Sequence, residues 1–421
     1  MAIDPLHRQP TVTGPGSAIA ELIQSRSAIY GDAPYLVEAT GSRQVSFRDL
    51  CHRVWSRIEV LEDRGVARDA TVGIAVADPL EYAVLFLAIM ASGRWVAPLD
   101  PNTSTEGIDT AISRLEIALL VSDGDPQFAS NLGGPPFTPD LERTNPNGHT
   151  PRRPPIPVEW ALEEGTPSPA GMGGAVLASS GTTGAPKVVP VYQGRLLHTA
   201  RAVAGHHRLL PGDRGFNPLP LFHINAEVVG LLATLVAGAS LVLDDRFHRT
   251  GFWALMEQHQ VTWINAVPAI VSHLADPDPD EAVPARIRFV RSASAPLPAA
   301  TLSRFEANTG IPVLETYGMT EAASQITANP LLGPRKPGSV GVPVGVELRI
   351  TVDERVTAAD DAGSAHDAGS ADDGFGGPTR EVGRPGHVEI RGPSVITAYG
   401  GNRHRDRFTA DGWLRTGDLG T

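Results

Sequence analysis

The sequence predicts an α/β protein, in which helices cover β-sheets that are mostly parallel. Three observations support this class. Short apolar strands alternate with amphipathic helices in the first hundred residues, the same rhythm resumes at residue 175, and short strands and turns dominate from residue 340. Because 421 residues exceed one small domain, we expect a first αβ part over 1–174, a second over 175–339 and a β-rich, barrel-like part over 340–421.

Local signals place the elements of the first part. Ser17 precedes apolar residues at helical spacing, and Ser46 precedes an apolar face that runs to Gly65, so we expect two helices that begin after these serines. The next expected elements are, in order, a strand at 70–77, a nearly all-apolar helix at 80–90 and a strand at 95–99.

The second part continues the alternation of strands and helices. Two segments do not follow this alternation. Residues 124–173 are rich in Pro, Gly and Asn, which predicts a long surface connection. Residues 357–377 hold few large apolar side chains, which predicts a disordered insertion. The expected elements of the second part are, in order, a strand from 175, a helix at 228–236, a strand at 240–243, a helix at 252–258, strands at 261–265 and 287–291, a helix at 299–307 and a strand at 313–316.

Composition excludes several classes of function. The net charge of −12 argues against general affinity for nucleic acid, although it leaves room for one bound nucleotide. No uninterrupted apolar run reaches the length of a membrane span, and the N-terminus shows no secretory signal. The single cysteine, Cys51, excludes a disulfide within the chain, and its spacing predicts a buried thiol. We therefore expect a cytoplasmic protein, whose oligomeric state the sequence does not indicate.

The most informative segment is the loop at 178–187, Ala-Ser-Ser-Gly-Thr-Thr-Gly-Ala-Pro-Lys, which follows an apolar strand. Glycine N–H groups and Ser/Thr hydroxyls form anion-binding concavities, and a lysine adds a point charge, so the loop predicts a triphosphate cradle. A surface turn is the alternative for such a cluster. Since two residues separate Gly184 from Lys187 and Val188 follows, the pattern is not that of a P-loop kinase or ATPase.

Five further segments stand in order along the chain. Together with the loop, their order and spacing resemble the adenylate-forming superfamily, which includes acyl- and aryl-CoA ligases, peptide-synthetase adenylation domains and beetle luciferases. The resemblance runs from about Ser46 to the last residue and implies a large N-terminal adenylation domain. The segments are Asn-Pro-Leu-Pro-Leu-Phe-His-Ile-Asn at 217–225, Ser-Ala-Ser-Ala-Pro-Leu at 292–297, Glu-Thr-Tyr-Gly-Met-Thr-Glu at 315–321, Gly-His-Val-Glu-Ile-Arg-Gly-Pro at 386–393 and Gly-Trp-Leu-Arg-Thr-Gly-Asp at 412–418.

The resemblance implies a reaction and its cofactors. Family members use ATP and Mg²⁺ to convert a carboxylic acid to an acyl-adenylate with release of pyrophosphate, and many pass the acyl group to coenzyme A. Two alternatives stay open. One is a stand-alone enzyme of specialised metabolism that hands its adenylate to an amine or a carrier protein, or that activates an oxyacid such as nitrite in the manner of diazotising relatives. The other is a non-catalytic nucleotide-binding protein.

The resemblance also assigns nucleotide contacts. It implies that the loop holds the β- and γ-phosphates, that Thr320 contacts the α-phosphate and that Glu321 binds Mg²⁺, although a Thr-Glu pair is also a common helix start. The resemblance implies that Asp418 accepts hydrogen bonds from the ribose hydroxyls. The alternative is that this aspartate is only a turn residue. The remaining implied nucleotide-binding residues are Ser179, Ser180, Gly181, Thr182, Thr183, Gly184 and Lys187 of the loop, Ser294, Ala295 and Pro296 beside adenine and the acyl pocket, and Tyr317 beside adenine.

The acyl pocket is the third implied site. His223 follows an aromatic residue that borders the pocket and the thiol tunnel in the family, so we expect it to contact the substrate or gate the tunnel rather than act as a nucleophile. Asn225 is expected to favour a small or polar acid, because an unpaired buried amide is costly. Val229, Ala293 and Gly318 complete the expected pocket. Family members carry a further small domain with a hinge and a catalytic lysine, which the resemblance places beyond Thr421, so we expect it to be absent and turnover to be low.

Overall fold

The computed structural model describes residues 17–123, 173–179, 187–278, 280–352, 385–400 and 404–421. The predicted α/β class is confirmed, since helices flank two large sheets that are mostly parallel. The predicted insertion at 357–377, and the connection at 124–173 except Gly173, lie outside the described residues. The helices are α1 Ala18–Tyr30, α2 Phe47–Asp63, α3 Pro79–Ala91, α4 Thr105–Leu115, α5 Gln193–His206, α6 Ala233–Ala237, α7 Phe252–Gln258, α8 Pro268–Leu274 and α9 Ala299–Thr309.

Three further helical segments and seventeen strands complete the described elements. The helical segments are a π-helix at Ala226–Leu232 and 3₁₀ turns at Thr320–Ala322 and Arg405–Arg407. The strands are β1 Pro34–Glu38, β2 Gln44–Ser46, β3 Thr71–Ala75, β4 Trp95–Pro98, β5 Ile117–Ser122, β6 Gly174–Ser179, β7 Lys187–Tyr192, β8 Arg214–Asn217, β9 Ser240–Leu243, β10 Trp263–Ala266, β11 Phe289–Ser292, β12 Val313–Met319, β13 Ser324–Ala328, β14 Val342–Pro343, β15 Glu347–Thr351, β16 Gly386–Arg391 and β17 Leu414–Gly420.

Both predicted helix starts are present. The hydroxyl of Ser17 accepts a hydrogen bond from the backbone N–H of Ala20 at the start of α1. Ser46 and Asp49 form a reciprocal capping box at the start of α2, so that two N–H groups without a helical partner are satisfied. Cys51 is only half-buried on α2, and this partial burial raises the pKa of its thiol.

The larger sheet has nine strands in the order β14-β13-β12-β11-β10-β8-β9-β1-β2. Strands β8 to β12 run parallel, whereas β13 and β14 are antiparallel additions at one edge. At the other edge β1 pairs in parallel with β9, placing Leu36 opposite Leu241, and β2 folds back against β1. The first forty-six residues therefore complete a sheet whose other strands all follow residue 213.

The second sheet has five strands in the order β5-β3-β4-β6-β7, all parallel except β7, which is antiparallel to β6. Its strands lie on both sides of the boundary expected at residue 174, and β1 and β2 belong to the nine-stranded sheet, so sheet membership does not follow that boundary. Helix α3 is buried along its length from Leu80 to Ala91, as its nearly all-apolar sequence predicts.

The β-rich part beyond residue 340 contributes β14 to the large sheet and forms an antiparallel sheet of three strands, β15-β16-β17. Within the expected barrel-like part, the described residues form this three-stranded sheet. The helix expected at 228–236 is present with a different start, since it opens as the π-helix at Ala226–Leu232 and continues as α6. All seven residues of the π-helix are buried.

Candidate active site

A cleft of about 1250 Å³ opens where the parallel strands of the large sheet end. Strand β9 lies on one side of β8 and strands β10 to β12 lie on the other, so the chain reverses its winding between β8 and β10. Open α/β sheets bind ligands at the carboxyl ends of the strands beside such a switch point. The lining residues that follow or end these strands include His223, Asn225, Val267, Ala293, Ser294 and Thr320.

The other two sheets also contribute residues to the lining of the cleft. Asp100 follows β4, Lys187 begins β7, and Asp418 lies in β17. Three sheets thus deliver charged side chains to one cavity, although these residues are far apart in the sequence.

The strands on either side of the predicted phosphate loop reach this cleft, since Ala178 and Lys187 line it. Ser179 ends β6 and Lys187 begins β7, and their Cα atoms are partners in the antiparallel register. Ser180, Gly181, Thr182, Thr183 and Gly184 lie outside the described residues. Lys187 lines the cleft, and its Nζ lies 5.3 Å from the centroid of the Tyr399 ring, within cation–π range.

Val188 occupies a position at which glycine is commoner in the adenylate-forming superfamily. A Cβ on Gly400 would lie 2.9 Å from the Cβ and Cγ1 of Val188, so the absence of a side chain at Gly400 makes room for the valine. The valine at position 188 is therefore accommodated because its neighbour at position 400 is a glycine.

Glu321 lies in the 3₁₀ turn after β12, lines the cleft and is 5% exposed. The hydroxyl of Tyr399 donates a 3.0 Å hydrogen bond to its Oε1, and its backbone carbonyl accepts a 2.8 Å bond from the N–H of Ile396. Thr320 also lines the cleft and does not cap the turn, because the residue at the cap position is Met319 and no side chain bonds there. The alternative of a simple helix cap at Thr320 is not what the structure shows.

The backbone around this turn is unusually constrained. A Cβ on Gly318 would lie 1.8 Å from the carbonyl oxygen of Ser324, so only glycine fits where β12 passes β13. Ala323 and Ser324 have φ values of 53° and 95°, and Ser294 on the facing strand end has a φ of 74°. Positive φ at residues other than glycine is uncommon and concentrates at functional sites. Gly318, Ser294 and Ser324 all line the cleft.

The two residues expected at adenine and ribose contact each other. The hydroxyl of Tyr317 donates a 2.5 Å hydrogen bond to Oδ2 of Asp418, while burial and this carboxylate raise the pKa of the tyrosine. Asp418 is exposed and lines the cleft, whereas Tyr317 is not among the lining residues. Ala295 and Pro296 are exposed and likewise outside the lining residues.

Several residues of the predicted acyl pocket line the cleft. His223 lines the cleft against Phe222, with ring centroids 4.6 Å apart; partial desolvation lowers the pKa of its imidazole, and Asp100 acts in the opposite direction. Asn225 and Ala293 also line the cleft. Val229 is not among the lining residues, because the π-helix that carries it is buried along its whole length and packs Val229 into the core.

Sequence reasoning missed Arg291, whose side chain lines the cleft from β11 and is 2% exposed. Its Nη1 donates hydrogen bonds of 2.7 Å to Oδ1 of Asn225 and 3.0 Å to Oδ1 of Asn265, and its Nε donates a 3.1 Å bond to Oε1 of Gln325. Asn225 therefore lines the cleft with its amide oxygen paired to Arg291. The sequence did contain a signal for Arg291, because this arginine ends an apolar strand just before a predicted pocket loop.

In the part of the chain that the structure describes, no helix combines the length and apolarity needed to cross a bilayer.

Comparison with known proteins agrees with this geometry. A family model described as "AMP-binding enzyme" matches residues 23–399. The sulfoacetate–CoA ligase of Cupriavidus necator is 33% identical over 408 residues, which are 96% of this chain and 75% of that protein. The oxalate–CoA ligase of Arabidopsis thaliana is 32% identical over 385 residues, 88% of this chain and 70% of that protein.

Among solved structures, the crystal structure of ATP-bound MatB from Rhodopseudomonas palustris matches with a TM-score of 0.73 and 26% identity, covering 96% of this chain and 76% of that one. The family model, the curated relatives and this structure agree along most of the chain. The protein therefore belongs to the AMP-binding enzyme family and is a ligase of the acyl-CoA synthetase type.

Proposed function

We propose that the protein joins a small carboxylic acid to coenzyme A through an acyl-adenylate made from ATP. The observation that carries this proposal is the meeting of Lys187, Thr320, Glu321 and Asp418, from three sheets, around one cleft at a switch point of the large sheet. Each residue type is common in loops, but a cation, a hydroxyl and two carboxylates converging there match the needs of a nucleoside triphosphate and its metal.

The chemistry has two steps. In the first, a carboxylate oxygen of the acid attacks the α-phosphorus of ATP, the bond to the β-phosphate oxygen breaks, and pyrophosphate leaves with the electron pair. In the second, the sulfur of coenzyme A attacks the acyl carbonyl carbon, the bond to AMP breaks, and the thiol proton passes to solvent. Neither step is a redox reaction, so positioning and charge neutralisation supply the catalysis.

The described residues take distinct roles in this proposal. Lys187 binds phosphate oxygens at the end of the glycine loop, Thr320 donates its hydroxyl to the α-phosphate, and Asp418 accepts hydrogen bonds from the ribose. The bond from Tyr317 to Asp418 holds that carboxylate in place. The neutral imidazole of His223 borders the acid and the path of the thiol.

Mg²⁺ fits at Glu321. The carboxylate lines the cleft, and the hydrogen bond from Tyr399 to one oxygen fixes its orientation. Mg²⁺ is typically held by one or two carboxylates together with substrate phosphates, and when bound it neutralises phosphate charge. The neighbouring Lys187 adds a second positive charge to the same region of the cleft.

Coenzyme A is the acceptor that the comparisons support best. Both curated relatives described above are named as CoA ligases, and nothing comparable favours an amine, a carrier protein or nitrite.

The test is pyrophosphate release from Mg·ATP by the protein. The acids are short-chain, aromatic and amino acids and nitrite, each with and without coenzyme A. We expect release with one acid class and a thioester plus AMP only when coenzyme A is present. Release without any thioester would transfer the assignment to another acceptor. Tight ATP binding without release for any acid would overturn the ligase proposal.

A further inference from the structure

Arg291 is a buried cation at the predicted acyl pocket whose protein partners are all neutral. Its three hydrogen bonds go to the amide oxygens of Asn225, Asn265 and Gln325, and Asn265 is held in turn by Asn217 through a 2.9 Å bond. Within the described residues, no carboxylate forms an ion pair with it. Amide dipoles satisfy N–H groups, but they do not balance a buried charge, which is normally paired.

The guanidinium also keeps an open edge. Nε and Nη1 make all the hydrogen bonds recorded for it, and no atom of the described chain accepts one from Nη2. Arg291 lines the cleft, and Nη2 is the guanidinium nitrogen for which the described residues supply no acceptor. Burial lowers the pKa of this arginine to about 9, so it is still charged at neutral pH.

We propose that Arg291 binds a second anionic group of the substrate, so that the acid is a short dianion with a carboxylate to activate and a carboxylate or sulfonate to anchor. The inference rests on the proposed ligase function and specifies its substrate class. A guanidinium presents parallel N–H groups that match two oxygens of such an anion, and in a dry site this contact is strong.

The surroundings of Arg291 fit an anion. Ser294 and Asn225 line the same region of the cleft and carry groups that donate hydrogen bonds. His207, buried nearby, is kept neutral because burial and then Arg291 itself hold its pKa well below the usual value. The two curated relatives are named for oxalate and sulfoacetate, each of which carries two anionic groups.

The first experiment needs no mutation. Acid-dependent pyrophosphate release by the full chain is measured with malonate and with monomethyl malonate, which has nearly the same shape and one charge fewer. We expect kcat/KM to be about 100-fold higher for a dianion, as the loss of a charged hydrogen-bonded contact predicts. Equal values, or higher values for monoanions, would overturn the inference while leaving the ligase function intact.

The second experiment assigns the effect to the residue. Arg291→Lys keeps the charge and Arg291→Met removes it, and Arg288→Met, an arginine outside the cleft, is the matched control. We expect Arg291→Met to lose about 100-fold in kcat/KM for malonate and to leave that for propionate within about threefold. An equal loss for both acids would show a purely structural role and refute the proposal.

A direct binding measurement tests Arg291 even when the protein shows no ligase activity. If no acid supports release, the ligase proposal fails, and calorimetric titration of the wild type with malonate and with acetate still tests Arg291. Malonate binding that weakens in Arg291→Lys, disappears in Arg291→Met and persists in Arg288→Met supports the anion site. Absence of malonate binding to the wild type at millimolar concentration would refute it.

Discussion

Tyr399 lies between two charged groups of the cleft, with its hydroxyl 3.0 Å from Oε1 of Glu321 and its ring 5.3 Å from Nζ of Lys187. One side chain thus orients a carboxylate and contacts a cation that the proposed function assigns to the metal and to the phosphates. The tyrosine is buried, and among the described site residues it forms a hydrogen bond to Glu321 alone. We therefore regard Tyr399 as a positioning residue.

Replacing Tyr399 with Phe removes the hydroxyl but keeps the ring beside Lys187. We expect the free energy of unfolding to fall by about 1–2 kcal/mol, because Oε1 of Glu321 loses its donor in a buried place. We also expect a higher dissociation constant for Mg·ATP. Tyr399→Leu, which removes the ring as well, should lose about 0.5–1 kcal/mol more. Denaturant titration and Mg·ATP calorimetry measure both quantities; an unchanged Mg·ATP affinity in Tyr399→Phe would argue against the positioning role.

Replacing Glu321 with Gln keeps an acceptor for Tyr399 while removing the charge. We expect the Mg²⁺ concentration at half-maximal pyrophosphate release to rise by about tenfold or more, since an amide is a poorer ligand for Mg²⁺ than a carboxylate. Glu315→Gln, on β12 outside the cleft lining, is the control and should leave the Mg²⁺ dependence unchanged. If the two variants respond alike to Mg²⁺, Glu321 does not hold the metal.

Replacing Gly318 with Ala places a Cβ against the carbonyl oxygen of Ser324 at 1.8 Å. We expect a loss of about 3 kcal/mol in the free energy of unfolding, because backbone atoms on both strands must move. Gly205→Ala on α5, where a Cβ meets nothing within 4 Å, should instead stabilise by about 0.5–1 kcal/mol. A small effect at Gly318 would mean that β12 and β13 separate easily.

The pH dependence of stability should report Glu227. This residue is fully buried on the π-helix and bonded to the hydroxyl of Tyr82, and burial raises its pKa from 4.5 to about 8, with the tyrosine acting in the opposite direction. The folded state therefore keeps a proton that the unfolded chain releases above pH 4.5. The contribution to stability is complete below pH 4.5 and is lost as pH rises through 8.

We expect the free energy of unfolding to decline between pH 5 and 8 in the wild type, by up to about 1.4 kcal/mol per pH unit from this group. Glu227→Gln, which stays neutral, should flatten that decline, whereas Glu62→Gln at an exposed ion pair should not. Denaturant titrations at several pH values compare the three proteins. Parallel pH curves for Glu227→Gln and the wild type would show that Glu227 is ionised in the folded protein.

Elements with local signals were predictable from the sequence. The start of α2 carries its own capping box, and α3 is apolar on every side. Helix α5 was missed because Tyr192 at its cap position makes no side-chain bond, so no capping residue marks its start. Strand β13 was missed because it buries polar residues, Ser324, Gln325 and Thr327, which no hydrophobic pattern marks.

The residues of the candidate site also fall into those that the local sequence indicates and those that it does not. The loop ending in Lys187 and the pair Thr320 and Glu321 stand out in the sequence because several functional residue types fall close together. Tyr399 and Arg291 do not, because their partners lie 78 residues from the first and up to 66 residues from the second. Such contacts depend on which strands become neighbours, and the local sequence does not encode strand order.

The pairing of β1 with β9 has a consequence for biosynthesis. Leu36 leaves the ribosome long before its partner Leu241, and at 5–20 residues per second the wait is about 10–40 s. During that time the hairpin of β1 and β2 has an unpaired edge that invites pairing with another chain. We therefore expect yield to depend on translation speed and on chaperones that shield nascent strands, more than on the stability of the finished sheet.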